Sequence, residues 1–500
     1  MESEIIHGTA FTFPFVIAPA GVVVMHSMFK TKTIEELIAA TKGERSLKRV
    51  LKTYELILLG IGAIIGTGIF VLSGVAAGYS GPALPVSFIV AGLVCILAAL
   101  CYAEFAAMVP VAGSAYTYCY ASLGEIWAWI IGWDLILEYA VAVSAVAIGW
   151  SGYVANLLGN IGLGLPAYLI NPPGVEGGLV NLPAFIIILL ITGLLILGMK
   201  ESARVTAVIV VIKVSILLLF IFLCLGHFQP VNWSNFMPNG WTGVVGGAAI
   251  IFFAFVGFDS VVIAAEETEN PKKALPIALI VTLIACMILY VAVAAMLTGV
   301  VPFSDIVGQS APISLALNEI GIPWGAALVS IGAICGMTTV LLVNLYGQSR
   351  IFFAMSRDRL LPPVLSEVHP VFKTPVKVTI LVGVVTAFVA GFLPLRIVAE
   401  LVNIGALFAF MVVALGVIIL RYKSPEAERP FKCPLFPVIP ILCILCTGFL
   451  IANLQPATHI QFVVWMVIGV IVYFVYVFRR NTQPVSSPIL IMPKKFPDAS

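Results

Sequence analysis

The sequence predicts an all-α polytopic membrane protein with 12 transmembrane helices in a five-plus-five inverted repeat, helices 1 and 6 being broken. Three observations carry this. Hydrophobic residues make up 61% of the 500 residues and charged residues only 10%, with a mean hydropathy of +1.12, whereas soluble domains are about a quarter charged. Apolar runs of roughly 18 residues or more, the length a helix needs to cross a bilayer, recur along the chain without the alternation of a barrel strand. Glycines interrupt two of these runs at positions five spans apart.

Taken in order, the apolar runs place spans at 55–77, 84–107, 125–154, 182–199, 204–226, 243–267, 274–300, 323–353, 375–394, 397–421, 435–453 and 459–479. Of the 26 Lys and Arg residues, 24 fall on one side of these spans. Arg396 alone falls on the other side, and Lys213 lies inside a span. The positive-inside rule makes the crowded side cytoplasmic, so both termini are expected inside the cell membrane. The expected organisation is a cytoplasmic segment 1–52, a first repeat 53–226, a second repeat 227–421, two appended spans in 422–480 and a cytoplasmic tail 481–500. Residues 8–29 are apolar, but Pro14 and Pro19 interrupt them and no small-residue cleavage site is clear. The expected native start is therefore Met28, with residues 1–27 an extension.

Several function classes are excluded or disfavoured. The nine cysteines lie mostly in apolar spans, and the Cys443–Cys446 pair has no second pair or histidine near it in sequence; no metal or disulfide framework is expected. The five histidines are scattered, and no nucleophile–base pair stands out, so neither an enzyme nor a cofactor is expected. No phosphate-binding G-x-x-x-x-G-K-[ST] loop occurs, so any transport must draw on gradients.

The first interruption reads Gly60-Ile-Gly-Ala-Ile-Ile-Gly-Thr-Gly-Ile-Phe70, the second Phe252-Phe-Ala-Phe-Val-Gly-Phe-Asp-Ser260. Paired interrupted segments at matching positions of two halves point to a transporter's central site. A break at Gly66-Thr67-Gly68 would aim the backbone N–H groups of a half-helix at an anion such as a carboxylate. The competing reading is close helix packing through Gly62 and Gly66. At the second break, carbonyls around Phe253 and Val256 would accept from an ammonium group. Asp259, which would cost about 2.5–3.5 kcal/mol if it faced lipid, adds negative charge; its competing role is to cap the second half-helix. Ile64 completes the expected amine and side-chain pocket.

Asp134 and Glu138 are four apart on one helix face, and Glu138 lies roughly 20 Å into its span at 1.5 Å per residue. An acid at that depth could select a cationic side chain, take up a proton, or pair with another helix. Glu104 reads as a structural or gating residue, and the run Glu266-Glu-Thr-Glu-Asn-Pro-Lys-Lys273 as a solvated helix end. Lys213, about 13 Å into its span, is costly there unless it is paired or titrating; it is the candidate for proton coupling.

These stretches, with Leu-Glu-Tyr139 and Glu266-Glu-Thr-Glu-Asn-Pro271, resemble the cationic amino acid transporter family of the amino acid–polyamine–organocation superfamily, from about residue 47 to 480. The resemblance implies the leucine-transporter-type fold, alternating access and a substrate α-carboxylate on the Thr67–Gly68 amides. It also implies that Lys213 occupies the place of a coupling sodium ion in sodium-dependent relatives. The expectation is a proton-coupled symporter importing cationic or a broad range of amino acids. Its rivals are an exchanger that moves no proton, a neutral amino acid carrier and a non-transporting sensor. The expected partners are the amino acid, protons and the lipid bilayer, with no nucleic acid; no small membrane subunit is identifiable.

Overall fold

Inside a bilayer each backbone polar group must find a partner within the protein, and this chain meets that demand with helices. A computed structural model describes residues 31–33, 36, 51–111, 114–175, 177–197, 203–372 and 374–478. The expectations for residues 1–27 and for the 481–500 tail fall outside these residues. Among the described residues there is no strand, only one isolated bridge between Leu51 and Thr268.

The principal helices are α1 (Thr53–Ile64), α2 (Ser73–Ser80), α3 (Leu84–Met108), α4 (Ser114–Ser122), α5 (Glu125–Asn160), α6 (Leu182–Ile196), α7 (Ala203–Cys224) and α8 (Gly240–Ile251), followed by α9 (Pro271–Val300), α10 (Pro312–Glu319), α11 (Pro323–Arg357), α12 (Val376–Phe392), α13 (Leu395–Lys423), α14 (Val438–Ala452) and α15 (Pro456–Val472). Eight helical stretches are long and apolar enough to cross a membrane, and α6, α12 and α14 are shorter apolar helices. One of the eight, Thr53–Met108, runs for 56 residues, well over twice the roughly 20 that one crossing needs. Gly81 (φ 58°) followed by Pro82 divides it. The protein is a multi-pass membrane protein.

Helix ends follow local chemistry. Proline in the first turn, where a missing N–H is harmless, starts α9 and α15, a few residues before the expected 274 and 459. The side chain of Asn181 accepts from the Ala184 amide and fixes the start of α6. α5 runs to Asn160, past the expected 154, taking Gly152 and Gly159 into the helix and ending just before Gly162, which has φ 80°.

α5 packs along α11 and α13, and α3 along α9. The buried side chains include Trp129 of α5, Tyr102 of α3, Tyr118 of α4 and Tyr290 of α9. Large apolar side chains such as Leu93 of α3, Phe222 of α7, Ile288 of α9 and Phe388 of α12 are exposed, as a surface bathed in lipid requires. Glu104, at the end of α3, is buried and accepts from Arg421 Nε (2.9 Å), Arg421 Nη2 and the Cys433 amide (2.8 Å), with Arg429 Nε at 3.4 Å. It therefore pins α3 to the α13–α14 connection, the structural role its sequence position suggested.

Candidate functional site

Both glycine-rich stretches are broken helices. α1 ends at Ile64, and Ile65 leaves helical geometry (φ −72°, ψ 99°) before a π-helical turn, Gly68–Leu72, leads into α2. The last carbonyls of a helix have no next-turn donor, and here side chains from other helices supply it. Lys213 Nζ of α7 donates to Gly62 O (2.9 Å) and Ile65 O (3.1 Å), and Tyr290 Oη of α9 donates to Ile64 O (3.1 Å). In the π-helical turn, Phe70 O accepts from Tyr153 Oη at 2.8 Å.

The second break begins where α8 tightens into a 3-10 turn, Phe252–Phe255. Val256 is extended (ψ 139°) and Gly257 takes φ 111°, a conformation that favours glycine. Helix resumes at Ser260–Ile263. Asp259 stands at its N-cap without a side-chain cap hydrogen bond. Phe253 O accepts from the Val256 amide, and Gly257 O from Ser260 Oγ.

The two breaks touch. A Cβ on Gly68 would lie 2.2 Å from Ala254 Cα, and one on Gly257 would lie 3.1 Å from Ala63 O. Only glycine lets the backbones approach so closely.

Between them lies a small cavity of about 30 Å³, room for about two waters. Ile64, Gly66, Thr67, Gly68, Glu138, Phe253, Val256 and Asp259 all line it: the structure brings together all eight residues picked from sequence for the substrate. The Thr67 side chain is buried, its hydroxyl toward Val146 O (3.5 Å) and Met337 Sδ (3.3 Å). Glu138 is buried, and its Oε2 has no hydrogen-bond partner among the described residues. Asp134 does not line the cavity; it is fully buried one turn away, with neither oxygen hydrogen-bonded among the described residues. Among the described residues no ion pair involves either acid. Lys213 is also outside the cavity, behind the first break.

Sequence reasoning missed Asn344 and Tyr139, which line the same cavity from α11 and α5. An amide in the middle of an apolar span was the available signal for Asn344. Among the described residues no cluster suits a metal ion.

Comparison with known proteins fits this geometry. The amino acid permease family matches residues 51–478. The chain belongs to that family. Among the permease's relatives is a branched-chain amino acid permease, BcaP, of Bacillus subtilis, 54% identical over 90% of this chain and 97% of the relative. A methylthioribose transporter of the same organism is 50% identical over 90% of this chain and 98% of the relative. A vacuolar cationic amino acid transporter of Arabidopsis thaliana is 38% identical over 80% and 68% respectively. The resemblance read from the glycine-rich stretches therefore holds at the level of the superfamily, and these relatives are transporters.

Proposed function

We propose that this permease imports amino acids across the cell membrane by alternating access, driven by a proton gradient, and accepts a broad range that includes cationic substrates. The observation that supports it is that two broken helices and two buried acids converge on one cavity. The substrate carboxylate meets the backbone amides of Gly66, Thr67 and Gly68. The ammonium group meets carbonyls near Phe253 and Val256 together with Asp259, while Ile64 and Glu138 border the side chain. A cavity this small must widen to admit a substrate, and movement of the half-helices supplies that step. Twelve crossings follow if Thr53–Met108 counts twice and the three shorter helices each cross. On that count the two repeats keep the boundaries 53–226 and 227–421, and the positive-inside rule puts both termini in the cytoplasm.

If Glu138 and Asp259 set a preference for cations, E138Q or D259N should weaken arginine, lysine and ornithine about tenfold more than alanine or threonine, a difference of roughly 1.4 kcal/mol. Competition against radiolabelled substrate in proteoliposomes measures this, and equal weakening of both classes makes the acids structural. A second reading, a neutral branched-chain carrier, is favoured by the 54% identity to BcaP and by the apolar walls Ile64, Phe253 and Val256. The same assay decides it: leucine, isoleucine and valine would compete best.

The backbone amides demand an anion. Methyl esters and decarboxylated amines should compete at least about a hundredfold less well than the parent amino acids, consistent with about 1.5–3 kcal/mol for a charge-assisted hydrogen bond. Esters that compete equally would remove the carboxylate assignment.

A further inference from the structure

A second cavity, of about 260 Å³, opens beside Arg396 and is lined by Tyr79, Ile250, Arg396, Glu400, Asn453 and Gln455, among others. It is roomier than the central one and near the lower end of ligand-site volumes, ~300 Å³. Arg396 is the one Lys or Arg that the span assignment places on the outer side.

Its groups are arranged for a ligand carrying both charges. The Arg396 side chain is 48% exposed, and its Nε donates to Glu400 Oε1 at 3.3 Å. Nη2 donates to the Tyr79 hydroxyl, and Nη1 has no hydrogen-bond partner among the described residues. Glu400 is buried, and its second oxygen accepts from the Thr458 hydroxyl at 2.5 Å, so the carboxylate is held rigidly at the cavity wall. A guanidinium fork pairs with a carboxylate through two parallel N–H groups, while Glu400 and the Asn453 amide oxygen can accept from an ammonium group.

The floor is rigid and close to the central site. Asn403 Nδ2 donates to Ala249 O (2.8 Å) and Ile250 O (2.9 Å). Ile250 precedes Phe253 of the central cavity by three residues, roughly 4.5 Å along a helix. Tyr79 lies in the last turn of α2, and its carbonyl accepts from Asn239 Nδ2 at 2.8 Å. A carboxylate that takes the Nη2 N–H now given to the Tyr79 hydroxyl displaces the contact that ties the outer end of the first broken helix to α13.

We propose that the Arg396–Glu400 cavity is an outer docking site for an amino acid zwitterion, and that occupancy frees Tyr79 and with it α2. The proposal rests on the transport function and orientation given above.

The test uses the full chain in nanodiscs with radiolabelled L-isoleucine and L-arginine. A double variant E138Q/D259N weakens the central site and isolates the outer one. It should retain weak, saturable binding of at least one probe, which R396Q reduces about tenfold or more and R396K only partly restores. Y79F should instead tighten that binding, because it releases Nη2 without removing the guanidinium; a merely structural Arg396 gives no such increase. Loss of all saturable binding in the double variant overturns the proposal, as does binding that R396Q leaves unchanged or that Y79F fails to strengthen. If E138Q/D259N binds and transports like the wild type, the central assignment fails instead. The outer site is then judged by whether R396Q lowers uptake at low substrate concentration.

Discussion

G68A should abolish uptake. The added methyl carbon would sit 2.2 Å from Ala254 Cα, 2.5 Å from its Cβ and 3.0 Å from its amide nitrogen. The obstruction is the backbone of the second broken helix, so no side chain can rotate away. The two breaks must separate by an ångström or more, and overpacking of a tight core costs about 1–3 kcal/mol before any effect on function. A displacement of about 1 Å at a positioned site lowers rates about a hundredfold, and here both halves of the proposed pocket shift together. G78A is the control: its methyl would meet Val307 Cγ1 at 3.4 Å, an ordinary contact. Initial uptake rates in proteoliposomes, with the thermal midpoint of each variant, read the outcome. Wild-type uptake by G68A would show that the close approach of the breaks is dispensable.

The residues legible in the sequence were those that carry a large penalty in an apolar span. Glycines in mid-helix, and the charges of Glu138, Lys213 and Asp259, each stand out because lipid tolerates none of them cheaply. Asn344 and Tyr139 are neutral, so the penalty that marks them is smaller than that of a charge, although the Asn344 amide in mid-span was still a signal. Asp134 shows the limit of reading faces by spacing. It shares a helix face with Glu138, yet one turn of helix carries it about 6 Å along the axis, beyond the cavity that Glu138 lines. The contact between Gly68 and Ala254 was out of reach too, because spacing along the chain says nothing about which half-helices cross. Arg396 was visible as an isolated outer charge with Glu400 four residues on, along the same helix, but Tyr79 meets it only in the folded protein, from 317 positions away.

K213A should abolish accumulation driven by a pH gradient while leaving substrate binding measurable. Lys213 is wholly buried, and Gly336 makes room for its stem, since a Cβ there would lie 2.8 Å from Lys213 Cε. Its ammonium holds Gly62 O and Ile65 O, the carbonyls exposed by the end of α1. A protonated amine presents three N–H groups and a full charge to those dipoles; once the proton leaves, both the charge and one donor are gone. The hold on the break then weakens, and the half-helix that borders the substrate is released. Proton and substrate thereby act on one element from opposite sides, which is what coupling requires. Alanine removes the donor altogether, at a stability loss of about 1–3 kcal/mol for the buried carbonyls left behind. K213R keeps its charge at all working pH values and should also fail to accumulate substrate, this time with the break held. Exchange of internal for external substrate, which needs no net proton movement, separates lost coupling from lost folding. Accumulation by K213A that still follows the imposed pH gradient would leave Lys213 as a cap on a broken helix and place the proton elsewhere.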